Sequence, residues 1–251
     1  MSESESLTTR ILQPHPDLTL SIREGGSGSP LLVLHGGAGP DSVTPIAERY
    51  IDTYRVILPT HPGWNDTPRP DWLASVHSLA TVYLDLLKTQ LGFADAPDQG
   101  SATVVGSSFG GWVASEMATL STNGRISRLV LIDAIGPAIP GHAPAIPVPQ
   151  APAAGDVAKP SRGPSQSSWT ALRAYAGPDM HDPGLLPRLA SVSIPTLVVW
   201  GQHDLVLPPA YGRAYAAAFP DSQFEIIPGG GHIPTREAPD ATFAAIDTFL
   251  T

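Results

Sequence analysis

The sequence predicts an α/β domain built on a mostly parallel sheet, and three observations predict it. Short, nearly continuous runs of Val, Leu and Ile recur along the chain, the pattern of strands covered on both faces. Helical patterns fill the intervals between those runs. The length of 251 residues, with 42 % apolar and 15 % charged residues, falls at the upper end of a single domain that buries most of its surface.

The elements follow in order. Thr8–Leu12 and Leu18–Arg23 are short, close in sequence and, in the second case, alternating, so they are expected to pair antiparallel at one edge. Leu31–His35 (LLVLH), Arg55–Leu58, Ala102–Gly106, Arg128–Ile132, Thr196–Trp200 and Phe224–Ile227 are the parallel-type strands. His77–Leu91 carries Leu79, Val82, Tyr83, Leu86 and Leu87 on one stripe of 3.6-residue period, and Gly111–Leu120, Pro209–Phe219 and Pro239–Leu250 read as helices too. Between Pro137 and Ser167 the pattern breaks: eight prolines fall among 31 residues otherwise rich in Ala, Gly and Ser. Proline lacks the amide donor and blocks helix continuation, so no regular element is expected there. Ala138–Gln166 is expected to be the most mobile and most protease-sensitive part of the chain. Short helices are expected over Ser168–Ala176 and Gly184–Val192.

Composition excludes several functions. There is no cysteine, hence no disulfide, no thiolate metal site and no Cys nucleophile. Fourteen Lys and Arg against 23 Asp and Glu give a charge of −9, which disfavours nucleic acid and anionic membrane as partners. Met1–Arg10 has no basic-then-apolar pattern, and no run nears the roughly 18 apolar residues of a membrane helix. A soluble, cytoplasmic protein is expected. No metal site or cofactor is expected either, since His and acidic residues show no ligand spacing and no dinucleotide or P-loop fingerprint occurs.

Chemistry concentrates at Gly106-Ser107-Ser108-Phe109-Gly110-Gly111, between the strand ATVV and the helix WVASEMATL. A serine on so sharp a strand-to-helix turn needs small residues two before and two after it, and that spacing selects Ser108 over Ser107 as nucleophile. A serine hydroxyl needs a base. Of eight histidines, His232 alone follows the last strand in a glycine loop, PGGGH. The base in turn needs an acid to fix its tautomer. Asp204, in WGQHD beyond the penultimate strand, is favoured, and Asp133, ending the strand before, competes. A developing oxyanion needs two amides: that of Phe109, after the nucleophile, and one from His35-Gly36-Gly37-Ala38-Gly39, taken as Gly37. His35 itself is expected to brace that loop. Trp64, Trp112, Trp169 and Tyr175 are candidate substrate-pocket residues.

HGGAG, VVGSSFGG, LVVWGQHD and IIPGGGH, in that order, resemble the oxyanion loop, nucleophile elbow, acid turn and histidine loop of the α/β-hydrolase superfamily, in its serine-nucleophile branch, from about Leu18 to Leu250. The resemblance implies an eight-stranded, mostly parallel sheet flanked by helices, with a cap inserted after the sixth strand. That places the core at 1–136 and 193–251 and a shortened, Pro-rich cap at 137–192. The implied activity is serine hydrolysis of a small or medium, largely apolar acyl substrate, most simply a carboxylic ester, with no cofactor. Carbon–carbon hydrolysis of a vinylogous diketone and lactone hydrolysis are open alternatives. From other classes come cofactor-free oxygenase, perhydrolase or lyase chemistry, or a non-catalytic binding protein.

Overall fold

A computed structural model describes residues 6–90, 101–121, 124–145 and 164–251. Eight strands form one sheet: β1 (Thr8–His15), β2 (Leu18–Gly25), β3 (Pro30–Leu34), β4 (Arg55–Pro59), β5 (Ala102–Ser107), β6 (Ile126–Ile132), β7 (Thr196–Gly201) and β8 (Ser222–Ile227). Their spatial order is β1-β2-β4-β3-β5-β6-β7-β8. β1 pairs antiparallel with β2 and β2 antiparallel with β4, and every later pairing is parallel. The expected antiparallel pair therefore sits at one edge of an otherwise parallel sheet.

The uninterrupted apolar runs have a physical reason. In the central strands, alternate residues enter two separate cores. Leu32, Leu34, Val104, Leu129, Leu131, Val198 and Trp200 face one. Leu31, Val33, Val105, Val130, Ile132, Leu197 and Val199 face the other. Both faces are dry, so both parities must be apolar. The first core is covered by α2 (Val76–Gln90), α3 (Phe109–Leu120), α4 (Gln166–Ala176), α5 (Leu185–Leu189) and α6 (Pro209–Ala216); the second by α1 (Thr44–Tyr50) and α8 (Pro239–Leu250). A 3-10 turn, Pro40–Val43, leads into α1, and α7 (Pro234–Glu237) precedes α8. The 3-10 turn, α1 and α7 are absent from the sequence reading.

Between β6 and β7 the chain leaves the sheet and builds α4 and α5. Arg188 of α5 holds this insertion to α3, with Nη2 lying 2.5 Å from Glu116 Oε2 and 2.8 Å from Asp182 Oδ2. The glutamate side chain is only 5 % exposed, and its other oxygen meets His77 Nδ1 of α2 at 2.9 Å. The expectation of greatest mobility over Ala138–Gln166 falls mostly on 146–163, outside the described residues. At its start, residues 138–145 are tied to the core by hydrogen bonds. Ala138 N–H donates to Asp182 O (3.1 Å), Ala145 N–H to Val206 O (2.9 Å) and Tyr211 Oη to Pro137 O (2.9 Å). Proline removes donors, but these carbonyls and the few remaining amides still find partners, and Ile139 is buried. Among the described residues no helix is long and apolar enough to cross a membrane.

Candidate active site

β5 ends at Ser107, and α3 begins at Phe109, so Ser108 alone makes the turn between them. It does so at φ 53°, ψ −117°, a conformation that costs an L-residue about 1–3 kcal/mol. The surroundings hold it there. Ser108 N–H donates to Ile132 O (2.9 Å), and its carbonyl accepts from Gly111 N–H (3.0 Å) and Ile135 N–H (3.2 Å). The glycines around it are required by close approach. A Cβ on Gly106 would strike the Gly110 carbonyl, one on Gly110 the Leu34 carbonyl, and one on Gly111 the Ala134 side chain. Phe109 is the first residue of α3, so its amide precedes the first intrahelical acceptor.

The structure brings Ser108, His232 and Asp204 together. His232 Nε2 lies 2.9 Å from Ser108 Oγ, and Nδ1 lies 2.9 Å from Asp204 Oδ2. The carboxylate faces Nδ1, so the proton sits on Nδ1 and the Nε2 lone pair accepts from the serine hydroxyl. Asp204 is held by the backbone as well: Oδ1 accepts from Val206 N–H (2.7 Å) and Leu207 N–H (3.3 Å). Its side chain has no exposed surface, whereas that of His232 is 23 % exposed. The histidine loop packs on the end of β7, where a Cβ on Gly201 would strike the Gly231 carbonyl. Glu237 of α7 accepts from Gly231 N–H and fixes the residue beside His232.

Asp133, the competing acid, is fully buried at the end of β6 and accepts from Gly201 N–H through Oδ1 at 2.8 Å. Among the described residues, Asp133, Asp204 and His232 are the three-residue group with metal-ligand chemistry, their ligand atoms lying within 4.8 Å of one another. Both Asp204 oxygens and both His232 nitrogens already have hydrogen-bond partners, which makes the group a poor cation cage.

The loop after β3 lies against the serine: a Cβ on Gly36 would come within 2.8 Å of Ser108 Cβ. A buried network beneath it sets its course. His61 N–H donates to His35 Nε2 (2.9 Å), which leaves the His35 proton on Nδ1, donated to Gly36 O (2.7 Å). His61 Nε2 in turn donates to His35 O (2.9 Å), and its Nδ1 accepts from Tyr83 Oη (2.5 Å). Burial drives both histidines neutral, His35 well below the usual imidazole range and His61 down to about 3. Trp64 Nε1 adds a bond to Gly37 O (3.0 Å). His35 braces the loop as expected; His61, Tyr83 and Glu237 carry no sequence signal beyond their residue type.

The network makes a stability prediction. Below pH 6.5 the unfolded chain binds a proton that folded His61 refuses until about pH 3, so its contribution falls with acidification by about 1.4 kcal/mol per pH unit. His61→Gln removes that dependence while keeping polar groups in place. In urea unfolding, the margin of wild type over His61→Gln is expected to narrow between pH 7.5 and 5. A constant margin would mean that His61 is charged in the fold.

Of the four aromatic residues expected at the substrate, Trp64 has no exposed surface, and its indole N–H is bound to the Gly37 carbonyl. Its ring stacks on Phe109 (5.7 Å) and Tyr175 (6.0 Å). Trp112, Tyr175 and Trp169 keep 4 %, 4 % and 8 % of their surface exposed and join the same core. Gly37 is roofed by α4 and a residue leading into it, with a Cβ there reaching 2.9 Å from Pro164 Cγ and 3.4 Å from Leu172 Cδ2.

The alpha/beta hydrolase family model matches residues 31–246, from β3 into α8. The chain is an α/β hydrolase. This hydrolase is 26 % identical to the 2-hydroxy-6-oxo-6-phenylhexa-2,4-dienoate hydrolase of Burkholderia cepacia, over 95 % of this chain and 94 % of that one. In fold it is similar to a thermophilic esterase from Thermogutta terrifontis, with a TM-score of 0.67, 23 % identity and coverage of 97 % of each chain. An N-acyl homoserine lactonase aligns with a TM-score of 0.72 and 21 % identity, over 98 % of this hydrolase and 96 % of that chain.

Proposed function

We propose that this hydrolase is a serine hydrolase of small or medium, largely apolar acyl compounds, most simply carboxylic esters. The observation that carries the reading is the hydrogen-bonded chain Ser108–His232–Asp204 at a strained turn facing the N-terminus of α3. Ser108 Oγ attacks the carbonyl carbon as its proton passes to His232 Nε2. The amides of Gly37 and Phe109 receive the oxyanion, and Asp204 stabilises the imidazolium through Nδ1. His232 then returns the proton to the leaving alkoxide. Water, deprotonated by the same nitrogen, releases the acid from the acyl-enzyme.

The apolar character of the substrate is supported by what covers the loop: Pro164 and Leu172 over Gly37. Residues 137–192 act in this reading as the cap that selects the acyl group, with 1–136 and 193–251 as the catalytic body. The experiment is pre-steady-state turnover of nitrophenyl esters from acetate to decanoate. A burst of about one nitrophenol per chain, optimal at a short or medium acyl length, is expected. Labelling of Ser108 by a fluorophosphonate without ester turnover would sink the esterase reading. The similarity to the dienoate hydrolase favours a second reading, carbon–carbon hydrolysis of a vinylogous diketone, so a 2-hydroxy-6-oxo-dienoate belongs in the same panel.

A further inference from the structure

We propose that Asp133 is a positioning residue that retains its carboxylic proton and donates it to Asp204, holding the triad carboxylate toward His232. The triad role rests on the function proposed above; the location of the proton does not.

Asp133 and Asp204 end adjacent strands, β6 and β7, or begin the turns beyond them, and both carboxylates are shut off from solvent. A carboxylate oxygen of each lies within 4.8 Å of the other. Two negative charges buried this close repel strongly, and one proton shared out between them removes the repulsion. The hydrogen-bond inventory decides which acid holds it. Asp204 accepts from Val206 N–H, Leu207 N–H and His232 Nδ1, three donors that all favour the charged form. Among the described residues, Asp133 accepts from Gly201 N–H alone, at Oδ1, while Oδ2 is buried without a hydrogen-bond partner. A proton on Oδ2 turns that orphaned atom into a donor, with the Asp204 carboxylate, within 4.8 Å of the Asp133 carboxyl, as its acceptor. Burial first, and then the charge of Asp204, drive the Asp133 carboxyl well above the usual carboxylate range, and Glu237 of α7 adds to the push.

The backbone fixes the arrangement. Asp133 adopts φ 44°, its N–H donates to Val199 O (3.0 Å), and its Oδ1 binds the last amide of β7, three residues before Asp204. Asp133 therefore reaches Asp204 from the neighbouring strand end, a rigid origin. It touches neither serine nor substrate and acts only through Asp204.

Two variants test the proposal. Asp133→Leu removes the donor and leaves the Gly201 amide unpaired, so kcat is expected to fall roughly tenfold to a hundredfold with KM little changed. Asp133→Asn supplies an NH2 donor for Asp204 and a carbonyl for Gly201, and is expected to recover most of that loss. An Asn variant as impaired as Asp204→Asn, or a fully active Leu variant, overturns the positioning role. The proton is tested without substrate. Above pH about 4 the unfolded chain releases a proton that folded Asp133 keeps, so wild-type stability declines with rising pH where the Asn variant does not. The folding constant of Asp133→Asn relative to wild type should rise by about tenfold per pH unit from about pH 5 upward. A ratio flat from pH 5 to 8 means an ionised Asp133 and ends the proposal, whatever the enzyme hydrolyses. Should Asp133→Leu fail to fold, the Asn variant decides alone.

Discussion

Ser108→Ala is expected to leave the fold intact and to lower acyl turnover by about 10⁴–10⁶-fold. Methyl for hydroxymethyl changes little of the packing, because the elbow is held by the Ser108 backbone, whose N–H and carbonyl bind Ile132, Gly111 and Ile135. What disappears is the hydroxyl hydrogen-bonded to His232 Nε2, the proposed nucleophile. Nucleophile and base act as a unit, so losing either costs nearly as much as losing both. Ser107→Ala, one residue earlier on β5, should be far milder. Circular dichroism and burst kinetics on the two variants together are the check. Retention of most turnover by Ser108→Ala would move the nucleophile elsewhere.

The second large effect belongs to Asp204→Asn, expected to lower kcat by about 10⁴-fold. The geometry gives the reason in detail. Val206 and Leu207 both present N–H groups to Oδ1, so the new amide turns its carbonyl toward them and its NH2 toward His232. A donor now faces Nδ1. The imidazole responds by moving its proton to Nε2, where it points at Ser108 and can no longer accept. Substrate affinity should change little, because Asp204 is buried behind the ring. Comparable losses in kcat and kcat/KM, with melting temperature within a few degrees of wild type, are the signature to look for. A loss confined to KM would place Asp204 in substrate binding instead.

The strands were legible because burial on both sheet faces leaves a continuous apolar run, and each of the six runs from Leu31 to Ile227 coincides with a strand. α1 was not, because seven residues give Ile46, Ala47 and Tyr50 too short a stripe to stand out. The GSSFGG turn was legible in its spacing, and the structure supplies the reason: three carbonyl or side-chain collisions that only hydrogen avoids. The meeting of Ser108, Asp204 and His232 could be anticipated because each lies just beyond a strand, His232 in a glycine loop. The relation of Asp133 to Asp204 could not. It depends on which strands are neighbours and on how many amides each carboxylate meets, and neither is local in sequence. His61 and Tyr83 are hidden for the same reason, being 22 residues apart and joined only by the packing of α2 under the loop.

The turn at Ser108 also sets the hydrolase's heat tolerance against the chemistry proposed for it. A left-handed residue at φ 53° is comfortable only as glycine, so the chain keeps a strained serine there at the expense of its own stability. Ser108→Gly should accordingly melt higher than Ser108→Ala, by an amount corresponding to about 1–2 kcal/mol. A lineage of this sequence released from the need to turn over substrate would find that substitution downhill. Loss of the hydroxyl proposed as nucleophile is then the first step such a lineage is expected to take, with the sheet and both cores left as they are.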